Sequence, residues 1–268
     1  MKDTIRILFL GDIVGPLGRA GVKKYLALHK EKDAIDFVIA NGENTTHGHG
    51  LSLDHYKELI SYGIDCITSG NHFFNSPDAM LKSSEMPFAI RPVNLDISCP
   101  GAYSKVFTIA DDIKIRVSNA LGRVYINLAQ SNPFYALENI CKEDEEKIIH
   151  IVDFHAEATG EKRAMAEYLD SKVTAVIGTH THVQTNDPKF LSKGTFFLTD
   201  AGMNGAYDSS LGDEKSSAIY RTVTGMPTKL SVPRVGKILV NGVLLDIDVD
   251  TKMVKDFRLI NETMEGGL

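Results

Sequence analysis

Metal-capable side chains gather in five short clusters: Gly11-Asp12, Asn41-Gly42-Glu43-Asn44, Gly70-Asn71-His72, Asp153-Phe154-His155 and Gly178-Thr179-His180-Thr181-His182. Singly, each has a bland reading. A Gly-Asp pair is commonly a turn with a solvated carboxylate, Asn44 and Asn71 are ordinary turn or cap residues, and His155 is as readily a core histidine bonded to backbone. Jointly the bland reading fails, because five independent turns rarely all select from the Asp, Glu, Asn and His set. The last cluster is the sharpest. In an extended segment residues i and i+2 point the same way, so His180 and His182 can address one dinuclear site. Together these clusters offer about seven candidate ligands. That set is too large for one catalytic ion and sufficient for two if one carboxylate bridges. Oxygen and imidazole donors without thiolate favour iron, manganese or zinc over copper or an iron–sulfur cluster, and calcium or magnesium would rarely recruit three histidines. Two ions about 3.5–4 Å apart are the arrangement that clamps the attacking and leaving oxygens in phosphoryl transfer.

Such residues need strands to deliver them to one place. Short apolar runs precede each cluster and read as strands: Ile5 to Leu10, Asp36 to Ala40, Ile64 to Thr68, Ile148 to Phe154 and Val173 to Ile177. Helical spacing lies between them, from about Arg19 to Lys30, from Leu53 to Ser61 with Ser52 as N-cap, after Ser76-Pro77, and from about Gly160 to Leu169. This is the βαβ rhythm of a parallel sheet with covered faces, and ligands bind outside the carboxyl ends of such strands. Two stretches break the rhythm. Tyr103 to Ile109 and Ile113 to Ser118, joined across Asp111-Asp112, predict one antiparallel hairpin. Lys237 to Val240 and Val243 to Val249 around Asn241-Gly242 predict another. The expected architecture is a layered α/β sandwich with mixed parallel and antiparallel sheets. A single domain over residues 1–268 is expected, with the stretch from about Asn119 to Glu146 as a cap subdomain.

Composition excludes several classes. The net charge of −6, with no cluster of Lys and Arg, opposes non-specific attraction to nucleic acid or anionic membranes. Cys66, Cys99 and Cys141 form no C-x-x-C, so neither a disulfide framework nor a zinc ribbon is expected, and a reducing cytoplasm fits best. No apolar run spans a bilayer and no signal-peptide pattern opens the chain. His29 and His55 read as surface residues, His150 as a core residue, and His47 and His49 lie near enough to the expected rim to touch a substrate. Arg91 and Arg123 could offer a cation to a phosphate, although structural ion pairs are the commoner use of such arginines.

Asp12, Gly-Asn71-His72, His155 and Gly-Thr-His180-Thr-His182 resemble, in order, the motifs of calcineurin-like metallophosphoesterases. Val14 stands where the first motif of that superfamily has histidine, and Gly42-Glu43-Asn44 replaces its aspartate-centred second motif. Both departures resemble the bacterial YmdB-like subfamily. So do Val152-Asp-Phe-His155-Ala-Glu-Ala-Thr-Gly-Glu-Lys162, Gly178-Thr-His-Thr-His-Val-Gln-Thr185 and Thr199-Asp-Ala-Gly-Met203. The resemblance runs through nearly the whole chain. It implies a four-layer α/β sandwich, two divalent or trivalent metal ions (iron first, with manganese or zinc as alternatives), and phosphodiesterase activity on cyclic nucleotides, 2′,3′-cyclic nucleotides leading. It also implies that Asp12, Glu43, Asn44 and His182 hold one ion and that Glu43, Asn71, His155 and His180 hold the other.

On that reading a metal-bridging hydroxide attacks phosphorus, and His72, which takes no ion, protonates the leaving ribose oxygen to give a 3′-nucleotide. The alternatives are a phosphomonoesterase or nuclease using the same centre, and a regulatory protein whose surface the metal organises. The expected partner is a small cyclic nucleotide; RNA is not favoured, a membrane is not expected, and a homo-oligomer is left open.

Overall fold

Near-continuous apolar runs, whose successive side chains point to opposite faces, dictate the layering. In the computed structural model, which describes residues 2–109, 112–128, 130–144 and 148–266, the first strands and helices are β1 (Thr4–Leu10), β2 (Asp12–Ile13), α1 (Gly15–His29), β3 (Phe37–Asn41), α2 (Leu53–Ser61), β4 (Cys66–Thr68) and α3 (Pro77–Leu81). The middle of the chain forms β5 (Ser104–Thr108), β6 (Lys114–Leu121), α4 (Pro133–Cys141), β7 (Ile149–His155), α5 (Thr159–Tyr168), β8 (Ala175–Thr179), β9 (Lys189–Phe190) and β10 (Phe196–Leu198). The chain then returns through β11 (Met203–Ala206), α6 (Lys215–Thr224), β12 (Ile238–Asp248) and β13 (Val254–Met264). One sheet has the order β2-β11-β12-β1-β3-β4, with β13 also on β12; the other has the order β5-β6-β7-β8-β10-β9. Strands β1, β3 and β4 run parallel in the first, and β6, β7, β8 and β10 in the second.

Three apolar interfaces make four layers. Ile5, Ile7 and Phe9 of β1 meet Ile149 and Ile151 of β7 between the sheets. The alternate residues Leu8 and Leu10 face α1 and α2, while Val152 and Phe154 face α4 and α5. Period-two side-chain placement thus supplies both faces of each sheet from one strand. The mixed four-layer α/β sandwich is as expected from the sequence. Among the described residues no helix is long and apolar enough to cross a membrane.

Local signals were legible where nothing distant competed. Ser52 caps α2, its hydroxyl accepting from the His55 N–H at 3.3 Å. Helix α1 begins four residues earlier than its apolar pattern, because Pro16 sits in the first turn, where a missing N–H is harmless. The first predicted hairpin forms as β5 and β6, pairing Ser104 with Ser118; Asp111 of its connection lies outside the described residues. So do residues 129, 145 and 146 of the expected cap, whose helix α4 packs Leu137 and Ile140 beside Val152 and Phe154 of β7.

The second predicted hairpin is wrong. Asn241-Gly242 makes no turn: β12 runs straight through it and turns only after Asp248, to pair with β13. A type I′ turn needs two exposed residues at positive φ, whereas Gly242 is clamped between Leu10 of β1 and Ile260 of β13. A Cβ there would lie 2.4 Å from the Phe9 carbonyl oxygen. The glycine therefore serves close strand approach. Strands β2, β9, β10, β11 and β13 and helix α6 lie outside the elements the sequence pattern predicts. His29 and His55 are half-buried rather than free on the surface: His29 stacks on Tyr25 at 4.4 Å and meets Asp33 at 3.2 Å, and His55 Nδ1 lies 2.8 Å from Thr46 Oγ1. His150 is buried, as expected.

Candidate metal centre

All seven candidate ligands meet in one place, at the carboxyl ends of parallel strands drawn from both sheets. Asp12 follows β1, Glu43 and Asn44 follow β3, and Asn71 follows β4; His155 ends β7, and His180 and His182 follow β8. The rim is therefore shared between two sheets, not built on one. His180 and His182 also differ from expectation. They lie beyond the strand at φ 103° and φ 64°, so their convergence comes from a strained turn instead of a common strand face. Each serves a different end of the cluster.

At one end, His155 Nε2 lies 3.1 Å from Glu43 Oε1, 3.1 Å from Asn71 Oδ1 and 3.0 Å from His180 Nδ1. An imidazole N–H could satisfy only one of these. Their other hydrogen bonds explain the convergence. His155 Nδ1 faces Thr179 Oγ1 at 2.9 Å, and that hydroxyl donates to Asp153 Oδ1 at 2.6 Å. His180 Nε2 faces Glu157 Oε2 at 3.1 Å. At the other end, His182 Nδ1 donates to the Leu211 carbonyl oxygen at 2.7 Å. Each ring thus anchors its far nitrogen on a neighbouring oxygen and turns its other nitrogen into the cluster. Glycine is required beside them: a Cβ on Gly70 would lie 2.3 Å from both Glu43 Oε2 and His155 Nε2.

The second end has unmet acceptors. His182 Nε2 lies 3.7 Å from Asp12 Oδ1 and 3.1 Å from the Asn44 amide nitrogen, which also reaches Glu43 Oε1 at 3.3 Å. Asp12 Oδ1 and Asn44 Oδ1 are buried without a hydrogen-bond partner among the described residues. Burying such oxygens bare is costly, and a bound cation relieves it. Charge gives the same result. Burial resists ionisation of Asp12, yet His182 and His155 hold its carboxyl well below the usual range. Burial likewise works against protonation of His155 and His182, but Glu43 and Asp12 push both up to about 9. His180, by burial and the neighbouring His155, falls to about 4. Two buried carboxylates here call for positive charge, and the donor set of oxygens and imidazoles fits bound metal.

Beside the cluster lies a cavity of about 140 Å³, walled by Glu43, Asn44, His49, His72, His180 and His182. The His72 backbone N–H donates to Glu43 Oε2 at 2.9 Å, its Nδ1 meets the Asn75 amide at 2.9 Å, and its ring lies 4.5 Å from that of His49. His72 therefore stands at the cavity beside the ligands without joining them. His47 is exposed and faces His55. Leu211, Asp213 and Val232 also line the cavity; they come from the segment around α6, and nothing in their local sequence marks them. Neither arginine reaches the centre. Buried Arg91 bonds the carbonyl oxygens of Pro92 and Cys99 at 2.9 and 3.1 Å, and Arg123 contributes a backbone N–H to Glu161.

Two mixed sheets packed face to face between helices, with an Asp/Glu/Asn/His centre at their common edge, define a metallophosphoesterase. The chain belongs to the YmdB-like protein family, whose model matches residues 8–260. It is 40% identical over 249 residues to the 2′,3′-cyclic-nucleotide 2′-phosphodiesterase of Bacillus subtilis (strain 168), a match covering 92% of this chain and 93% of that protein. A crystal structure described as a novel phosphatase of Mycoplasma pneumoniae superposes with a TM-score of 0.91 at 38% identity, covering 98% of this chain and 95% of the other. A hypothetical protein from Thermus thermophilus superposes with a TM-score of 0.89 at 32% identity, covering 97% and 99%.

Proposed function

We propose that this centre holds two metal ions and hydrolyses 2′,3′-cyclic nucleotides to 3′-nucleotides. Membership of the family, at 40% identity to the Bacillus enzyme, makes the chain a phosphoester hydrolase. The observation that supports the dinuclear reading is the set of three imidazoles with anchored far nitrogens, turned onto Glu43, Asp12 and Asn44, two of which carry orphaned buried oxygens. Asp12, Glu43, Asn44 and His182 would hold one ion, and Glu43, Asn71, His155 and His180 the other, with Glu43 serving both. When bound, the ions supply Lewis acidity that acidifies water and neutralises charge on the phosphoryl oxygens.

The remaining work falls to the chain. Glu43 fixes His72 through its backbone N–H, leaving the ring on the cavity wall, free to hand a proton to the departing ribose oxygen. Iron or manganese suits the mixed oxygen and imidazole set. We treat the chain as one domain, since neither sheet carries a complete ligand set, and we place it in a reducing cytoplasm, where its three free cysteines would stay reduced. The test is hydrolysis of 2′,3′-cyclic nucleotides, nucleoside monophosphates and RNA by manganese-loaded protein, with products separated by chromatography. The expected product is the 3′-nucleotide. Accumulation of 2′-phosphates would contradict the leaving group, and preference for monophosphates or RNA would favour the phosphomonoesterase or nuclease reading.

A further inference from the structure

The segment that ends at Lys162 and the one from Thr199 to Met203 each carry a charged residue that supplies no ligand, Lys162 and Asp200. The fold joins them. Lys162 of α5 and Asp200, beyond β10, are both essentially fully buried, and Lys162 Nζ donates to Asp200 Oδ2 at 2.7 Å. The same oxygen accepts from the Thr181 backbone N–H at 3.1 Å and the Thr181 hydroxyl at 2.8 Å. Asp200 Oδ1 accepts from the Gly202 N–H at 2.9 Å, and the Gly202 carbonyl oxygen accepts from the Asp12 N–H at 3.0 Å. One carboxylate thus grips the residue between His180 and His182 and, through the single residue Gly202, the backbone of Asp12. A buried ion pair is a weak source of stability, because apolar replacements are often neutral or better. What it can supply is direction, and direction is what two histidines held at φ 103° and φ 64° require.

We propose that the Lys162–Asp200 pair is a positioning clamp that holds Thr181, and with it His180 and His182, in the geometry that binds both metal ions. This rests on the dinuclear reading above. The clamp is tested by titrating manganese(II) into chelator-stripped protein against a chelating dye, with the melting temperature of each apo protein as control. Thr181→Val removes the hydroxyl with little change of shape, and should weaken manganese binding by roughly 10–100-fold at an unchanged apo melting temperature; Thr181→Ser should restore it. The neutralised pair, Lys162→Met with Asp200→Asn, should weaken binding at least as much. Parent-like affinity in Thr181→Val, or failure of Thr181→Ser to restore it, would overturn the clamp while leaving the metal reading intact. Absence of binding by the parent protein would overturn both. If the paired variant does not fold, Thr181→Val still decides.

Discussion

Thr179 Oγ1 stands between two buried groups, accepting from His155 at 2.9 Å and donating to Asp153 at 2.6 Å. Burial pushes the Asp153 carboxyl up to about 6, and the hydroxyl is the link through which it orients the ring. Thr179→Val should leave the ring free to adopt the other tautomer, lowering manganese affinity at the His155 end by about 10–100-fold. Isothermal titration of the apo protein checks this, and two unchanged binding events would refute it.

On the dinuclear reading, Glu43 is the carboxylate that would serve both ions. Its Oε1 faces His155 and the Asn44 amide, and its Oε2 takes the His72 N–H. Glu43→Ala should be the most damaging single ligand loss, reducing metal content from two ions per chain to one or none. Elemental analysis after reconstitution measures it; retention of both ions at parent affinity would show that no bridge exists.

His72→Ala should keep metal content and fold, since the ring joins no ligand, but lower turnover by roughly 10²–10⁴-fold, as for a lost general acid. The loss should shrink with a nitrophenyl ester, whose leaving oxygen departs without a proton. Loss of a metal ion would instead make His72 a ligand, and full activity on an alkyl ester would end the proposed mechanism.

His150 gives a pH prediction remote from the metals. Burial, aided by nearby Arg116, pushes its imidazole down to about 3, against an ordinary 6.5 in the unfolded chain. As pH falls below 6.5 the unfolded chain takes a proton that the native state refuses, so stability declines down to about pH 3. At pH 5 the decline is about 2 kcal/mol. His150→Gln, keeping a polar partner for the Ser118 hydroxyl that lies 2.8 Å from the ring, should lose correspondingly less between pH 7.5 and pH 5. Urea midpoints for the two proteins would test this, and parallel declines would clear His150 of the effect.

What could be read from the residues alone was local or followed from strand polarity. Alternation along Ile5 to Leu10 decided which side chains face helices and which face the other sheet, because the side-chain period of a strand is two. The five clusters were recognisable as one site because parallel strands present their carboxyl ends on the same side. Ser52 was recognisable as a cap because capping needs only the next three residues.

The rest depended on partners distant in sequence. Asn241-Gly242 carries a strong turn signal, yet Leu10 and Ile260 hold it extended, since ladder hydrogen bonds from two sides outweigh a local preference. His180 and His182 reach opposite ends of the centre only because Asp200 and Leu211 grip the turn from elsewhere. The Lys162–Asp200 pair, like the cavity wall of Leu211, Asp213 and Val232, is created by packing alone. Spacing along the chain carries no record of which buried charge meets which; only the tertiary structure, where an unpaired one is too costly to leave, decides it.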